Sequence, residues 1–469
     1  MKSNRILKQI YDLSPYNLKV LFTSLYGLKK RYNSYGKYYF HQVQFLEETQ
    51  YWNQEKLTAY QNERLCAFLK DINTKVPFYI NNPQYSALSK ESPDIHDFPI
   101  LSKKIVKQNL KEFYNQAQNK VFWGRTSGTT GSPMVFPVTK QSIQRDYAFL
   151  NMAFKTSGLS LDKPKKIATI AGHSVAWQGR TRPPFWSFDI FNNHLYFSSY
   201  HISEFNFKSY IKKLEEFDPL LITGYPSSIY LLALAYKRHG TKKLCLKGIY
   251  TSSETLLDFQ RQTIETIFQV KVFNYYGTSE MSCKIIECEK GELHLKPEYN
   301  YVEILNSENQ YCKPGEYGRI ISTHFNNIAF PLIRYDVGDN VAISKNQNPK
   351  CGRSGLIIDS IDGRKEDSII TPEGHIVGRL SILLRDSVNV IEAQIEQSSI
   401  EEVVIRIIRG SSYSKKDEVK ILKSARTRLG NSIRISFDYV DEIPRASNGK
   451  FRFIVSRIDP GLFMTMTNS

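Results

Sequence analysis

Apolar positions repeat with two different periods along this chain, and the period changes twice. In "LTAYQNERLCAFLKDI", Leu57 and Tyr60 are followed by Leu65, Phe68, Leu69 and Ile72. The last four stand at i, i+3, i+4 and i+7, one face of a helix. Few glycines interrupt residues 1–95, so this part reads as a helical N-terminal region packed on a larger domain. From about 120 to 345 the texture differs. "KKIATIAG", "PLLITGYPSS", "LKGIYTSSE" and "KVFNYYGTSE" are short β-branched runs that each end in small or turn residues. Helical stretches such as "SSIYLLALAYKRHG" and "TLLDFQRQTIETIF" lie between them. Strand, loop and helix in repetition predict an α/β domain with largely parallel sheets, spanning 96–364. After "IDGRKED" the pattern turns β-rich, with "NVIEAQIEQ", "EEVVIRIIRG" and "SIRISFDYVDEIP" around one helix near 415–429. Residues 365–469 therefore form a small α+β domain.

In a parallel sheet, ligands sit beyond the carboxyl ends of the strands. The four small-residue loops fall at those ends, which singles out Ser253, Glu254, Tyr275, Tyr276, Gly277 and Thr278. A further loop, "GRTSGTTGS", follows the strand "NKVFWG". Gly128 and Gly131 let backbone amides turn inward as an anion nest, and Ser127, Thr129 and Thr130 add hydroxyl donors. No lysine follows Gly131, so this is not a P-loop. "NYYGTSE" sets an aromatic pair, a glycine, two hydroxyls and Glu280 at a strand end, a set suited to stacking a base and holding Mg²⁺ against phosphate. Asp339 in "RYDVGD" suits a pair of ribose hydroxyls. "PRASNGKFRF" puts Lys450 after a flexible glycine near the C-terminus.

Charge and composition narrow the partners. The 63 basic and 46 acidic residues leave a formal charge of +17, which suits polyanionic ligands such as nucleotides and coenzyme A. No nucleic-acid-binding motif accompanies the charge, so nucleic acid is not an expected partner. There is no apolar run long enough to span a bilayer and no signal-peptide core at the start, which predicts a cytoplasmic protein with at most peripheral membrane contact. Six cysteines in 469 residues are not a disulfide framework.

The glycine loop, the Tyr-Gly-x-Ser-Glu element, the Asp, the Gly-Arg pair of "DGRKED" and the terminal Gly-Lys resemble, in this order, the adenylate-forming superfamily of acyl-CoA synthetases, adenylation domains and luciferases. "VPFY", "FPILSKK", "ECEKGELH" and "CGRSG" narrow the likeness to the phenylacetate–CoA ligase family. "FSSYHIS", "TGYPSSIYLLA" and "GKFRFIVS" resemble its branch in capsular polysaccharide biosynthesis.

The resemblance implies an acetyl-CoA synthetase-like fold and an ATP- and Mg²⁺-dependent ligase. Such an enzyme activates a small carboxylic acid as its adenylate and passes the acyl group to coenzyme A or to an amine such as an amino sugar. Thr126, Ser127, Gly128, Thr129, Thr130 and Gly131 would hold the phosphates, and Tyr276 would contact adenine. Ser279 would touch the α-phosphate, Glu280 would bind Mg²⁺, and Asp339 would bond the ribose with Arg364 nearby. Lys450 would bridge the carboxylate and the α-phosphate, lowering the repulsion between two anions. The small domain would pivot near Arg364, where the family commonly has Asp two residues on and this chain has Glu366. A scaffold of polysaccharide assembly without catalysis is the competing class, and it would have no chemical use for Glu280, Asp339 and Lys450.

Two assignments stay open at this level. Cys288, His294 and Cys351 fall where the family can carry structural zinc, with Pro349 in place of one cysteine and Cys283 as a substitute ligand. The alternative is a set of buried reduced thiols. Trp177, Arg180, His201 and Tyr225 lie where the acyl pocket is expected, and their alternative is ordinary packing.

Overall fold

The computed structural model describes residues 10–91, 93–126, 134–173, 175–177, 180–364, 369–372, 376–377, 380–384, 389–445 and 451–458. The N-terminal region is helical as the periodicity predicts: α1 (Tyr16–Ser34), α2 (Lys37–Thr49) and α3 (Gln54–Ile72). α3 starts where Asn53 accepts the amide of Lys56 at 2.9 Å, an N-cap that satisfies one orphan donor. It buries Leu57, Leu65, Phe68, Leu69 and Ile72, with Tyr60 half-buried at the edge of that stripe. The hairpin β1 (Val121–Arg125) and β2 (Val135–Thr139) comes next, then α4 (Lys140–Lys155), capped by Thr139.

The central sheet begins with β3 (Ile167–Ala171), β4 (Trp186–Asp189) and β5 (His194–Ser198). Then come α5 (Phe207–Phe217), β6 (Leu221–Gly224), α6 (Pro226–His239), β7 (Gly248–Thr251), α7 (Asp258–Phe268) and β8 (Val272–Gly277). Strands β5, β3, β6, β7 and β8 are neighbours in that order and all parallel. Helical crossovers of this length permit parallel pairing.

Beyond β8 the connections shorten and the pairing becomes antiparallel. β9 (Lys284–Glu287), β10 (Leu293–Leu295), β11 (Tyr301–Leu305), β12 (Tyr317–Thr323), β13 (Tyr335–Ile343) and β14 (Ile357–Arg364) extend the sheet to twelve strands in the order β8-β9-β10-β14-β13-β12-β11. The sheet is therefore mixed: parallel pairing is confined to β5, β3, β6, β7 and β8, with helices separating β5, β6, β7 and β8 and the antiparallel edge strand β4 lying between β3 and β5 in the chain.

The strand pair β15 (Ile369–Ile370) and β16 (Ile376–Val377) leads to the small domain. There β17 (Val390–Ser399), β18 (Glu402–Arg409), α8 (Lys415–Leu429), β19 (Arg434–Tyr439) and β20 (Ile454–Ser456) form a four-stranded sheet in the order β19-β18-β17-β20, with α8 packed on it. One apolar cluster runs from Leu232 and Ile264 of the large domain to Ile395 and Ile405 of the small one. The Tyr230 hydroxyl donates to Val390 O across the same boundary at 3.3 Å. Among the described residues, no helix is long and apolar enough to cross a membrane.

Candidate active site

Parallel strands joined by crossovers of one hand bring their carboxyl ends to one edge. The loops after β3, β6, β7 and β8, far apart in the chain, thus meet. Gly224 ends β6 with φ of +149°, and a Cβ there would lie 2.0 Å from Ile170 O on β3. Only glycine permits that approach.

Successive residues on a strand face opposite sides, and β8 uses this. Tyr275 lines a cavity on one face of the sheet. Tyr276 points the other way and donates its hydroxyl to Asp339 Oδ2 at 2.6 Å. Burial, then the Asp339 carboxylate, holds the Tyr276 phenol well above its ordinary pKa. Arg364 stands directly opposite Asp339 in the β13–β14 register. The expected adenine, ribose and hinge residues are thus brought together.

Gly277 and Thr278 continue into a turn in which Ser282 N donates to Thr278 Oγ1 at 2.9 Å. Ser279 is exposed at its tip and Glu280 is buried beneath it. Glu280 pairs with Lys103 at 3.1 Å. Lys103 was not among the residues the sequence pointed to, although "FPILSKK" contains it. It arrives because Leu101 bridges to Tyr335 on β13, with Leu101 N to Arg334 O at 2.9 Å and Asp336 N to Leu101 O at 3.0 Å.

Thr126 is buried at the base of the glycine loop, where its hydroxyl accepts Met134 N at 2.9 Å and closes the β1–β2 hairpin. Ser127, Gly128, Thr129, Thr130 and Gly131 lie outside the described residues, as does Lys450. The neighbour of Lys450 is described. Phe451 N donates to Glu254 Oε1 at 2.5 Å, while Ser227 N, in the first turn of α6, donates to Glu254 Oε2 at 3.2 Å. Glu254 therefore ties Phe451 of the small domain to the β7 loop. Burial raises its pKa despite these bonds. Ser253, beside it, lines the cavity and sits at φ of +71°.

The cavity measures about 450 Å³, a size suited to a small organic ligand. α1 supplies Gly27, Lys30, Arg31 and Ser34 at i, i+3, i+4 and i+7, and α4 supplies Tyr147, Leu150 and Phe154. The floor is the sheet, with Ile167, Thr169 and Ala171 of β3 alternating along one face. Gly224, Tyr225, Ser252 and Ser253, at the carboxyl ends of β6 and β7, also line the cavity. Thr169 Oγ1 bonds His194 Nε2 at 2.7 Å and Thr223 Oγ1 at 2.6 Å. Burial pushes His173 down to about 4 and His194 well below its usual range, so both rings are neutral.

Of the expected acyl-pocket residues, Tyr225 is on this wall and the other three are not. His201 is a packed residue, stacked on Phe185 with Nδ1 against Ser198 Oγ at 2.8 Å and Nε2 against Trp177 O at 3.0 Å. Arg180 donates to Arg182 O and Pro183 O of its own loop, at 2.7 and 3.1 Å. Trp177 is exposed. The pocket draws instead on α1, whose inward face is made of small and polar residues and carries no apolar periodicity.

A second cluster lies elsewhere. The ligand atoms of Cys288, Glu292, His294 and Cys351 all fall within 4.8 Å of one another. Cys283 is not the fourth member. It is buried in an apolar cluster with its thiol pushed far up by burial. Glu292 takes that place, oriented by Lys350 N at 3.0 Å. The Cys351 Sγ to His294 Nε2 distance of 3.3 Å matches one edge of a tetrahedron around zinc, and the S₂NO donor set fits that ion. Burial lowers His294 to about 4, which keeps a ring nitrogen available.

A family model described as the CapK C-terminal domain matches residues 369–457. The chain is 28% identical over 464 residues to Protein CapK of Staphylococcus aureus, covering 97% of this chain and 100% of that protein. It is 22% identical over 459 residues to the phenylacetate-coenzyme A ligase of Thermus thermophilus, covering 86% and 96%. Among solved structures it overlays on a 2-hydroxyisobutyryl-CoA ligase in the postadenylation state with a TM-score of 0.65 and 16% identity, covering 87% of this chain and 92% of that one.

Proposed function

We propose that this chain, a homologue of CapK along its whole length with the fold of the adenylate-forming CoA ligases, is an AMP-forming acid–CoA ligase. In the first half-reaction a substrate carboxylate attacks the α-phosphorus of ATP. A C(O)–O–P bond forms, and the bond to pyrophosphate breaks. In the second, an acceptor attacks the acyl carbon, loses its proton, and AMP leaves.

The observation that carries this reading is Glu254. One carboxylate holds the amide next to Lys450 and the first turn of α6, and its chain neighbour Ser253 lines a ligand-sized cavity. That arrangement supports Lys450 as the cation between two anions that must meet, where a fixed charge acts without reorganising. Tyr276 and Asp339 would take the nucleoside, and the loop above Thr126 the phosphates. Glu280 retains an oxygen for Mg²⁺, with Lys103 as a second cation facing the phosphates. Zinc at Cys288, Glu292, His294 and Cys351 would be structural, because the set lies outside the cavity and offers four protein ligands.

Coenzyme A is the proposed acceptor, on the strength of the ligase relatives and the basic charge. A place in surface polysaccharide assembly is proposed on the CapK similarity. The test is pyrophosphate release with ATP, Mg²⁺ and a panel of carboxylic acids, wild type beside Lys450→Ala, with coenzyme A or an amino sugar then added. Acid-dependent release lost in the variant supports the reading. Release equal in both removes the role given to Lys450, while no release together with ATP binding absent by calorimetry overturns the reading in favour of a scaffold.

A further inference from the structure

The cavity is walled by cations. α1 contributes Lys30 and Arg31, and the loop before β3 contributes Lys163 and Lys165, while no Asp or Glu lines it among the described residues. Two carboxylates behind the walls are engaged elsewhere. Asp189 accepts Phe191 N, Asn192 N and Asn192 Nδ2 at 3.1, 3.2 and 2.6 Å. Asp162 is exposed outside, beside Lys163 and Lys165. Arg31 spends part of its fork on Asp162 O at 3.3 Å.

Lys30 meets no carboxylate among the described residues: its ammonium stands 5.7 Å from the centre of the Tyr147 ring and bonds the Tyr147 hydroxyl, and its side chain stays accessible to solvent. Its charge adds to burial in keeping His173 and His194 neutral, so those rings serve as hydrogen-bond partners rather than further cations. A cleft lined by one sign of charge favours a ligand of the other sign, and an anion reaching Lys30 and Arg31 meets cations with no competing carboxylate in the lining among the described residues. A hydrocarbon-tailed acid would gain nothing from that charge.

We infer that the acid handled here carries a second anionic group. Its reacting carboxylate lies at the Ser252–Ser253 end of the cavity, the second anion meets Lys30 and Arg31, and polar groups between them meet Thr169, Thr223 and Tyr196. The five residues of β3 along the floor bound the separation at about 13 Å. This substrate class rests on the adenylation reading, but the binding it requires does not depend on turnover.

The test is calorimetric binding of matched acids to the full chain: adipate against hexanoate, and 6-phosphogluconate against gluconate. The proteins are wild type, Lys30→Met and Lys30→Arg. In wild type at least one dianion binds about tenfold tighter than its partner or better. Lys30→Met loses that preference and Lys30→Arg restores it. Whether adipate or 6-phosphogluconate shows the preference tells carboxylate from phosphate. No preference in wild type, or a preference that Lys30→Met leaves intact, overturns the inference. Lys30-dependent binding without pyrophosphate release from the same acid would instead refute adenylation and leave the anion site standing.

Discussion

The Tyr276 hydroxyl lies 2.6 Å from Asp339 Oδ2, although β8 and β13 are separated by three strands of the same sheet. Four strand steps span about 19 Å in a flat sheet. The antiparallel half must therefore curl back on the parallel half, and the pair marks where the two faces close. Tyr276→Phe removes the donor and leaves the ring. KM for ATP in pyrophosphate release should rise about tenfold, with a smaller change in kcat, and Asp339→Asn should do the same. An unchanged KM would place the pair outside the nucleotide site.

Glu254 holds two amides that belong to different domains. Glu254→Ala leaves both without a partner, at about 1–3 kcal/mol each. Adenylation should slow more than ATP binding weakens, because the Lys450 segment loses its anchor while the nucleotide contacts remain. Equal losses in both would argue for general disruption.

The same residue makes stability fall with pH. Its folded-state pKa is raised by burial, so the folded chain binds its proton more tightly than the unfolded chain. The slope from this group is therefore negative, beginning near the ordinary value of 4.5 and ending above the raised value. Glu392, also raised by burial, adds a slope of the same sign. Thermal melts across this range should show Glu254→Gln losing part of the wild-type decline. An unaltered curve would count against the burial argument.

Metal analysis of the purified chain should find one zinc, and chelation should lower Tm. Cys288→Ser or Glu292→Gln should reduce the zinc content. Cys283→Ala should leave the zinc in place while lowering stability by about 1 kcal/mol, the cost of a small buried void. Zinc lost from Cys283→Ala would restore that cysteine as a ligand.

Gly224→Ala places a methyl 2.0 Å from Ile170 O in a backbone conformation that L-residues rarely adopt. Neither strand can retreat without breaking the β3–β6 ladder. The expected loss exceeds about 3 kcal/mol in urea unfolding.

The elements were legible in the sequence because periodicity is local. Leu65, Phe68, Leu69 and Ile72 share a helix face through their spacing alone, and all four are buried as expected. The loops after β3, β6, β7 and β8 could be located because a small-residue ending succeeds each apolar run, and crossovers of one hand bring such ends to one edge. Local motifs marked Glu254, Tyr276 and Asp339, and folding brought the last two together. "FPILSKK" contains Lys103 but gave it no role, because its partner Glu280 lies 177 residues away in sequence. Glu292 went unmarked as a ligand because Cys351 and the Lys350 amide close the cluster from another strand's loop. Nor could Lys30 be found, because α1 turns its small and polar residues inward and leaves Leu18, Leu21 and Leu25 exposed, so hydrophobic spacing does not mark its inner face. In α3, by contrast, local spacing specifies the buried face. Which charge from a distant element lines the same cavity depends on how the sheet curls and where α1 comes to rest, and those are properties of the assembled chain.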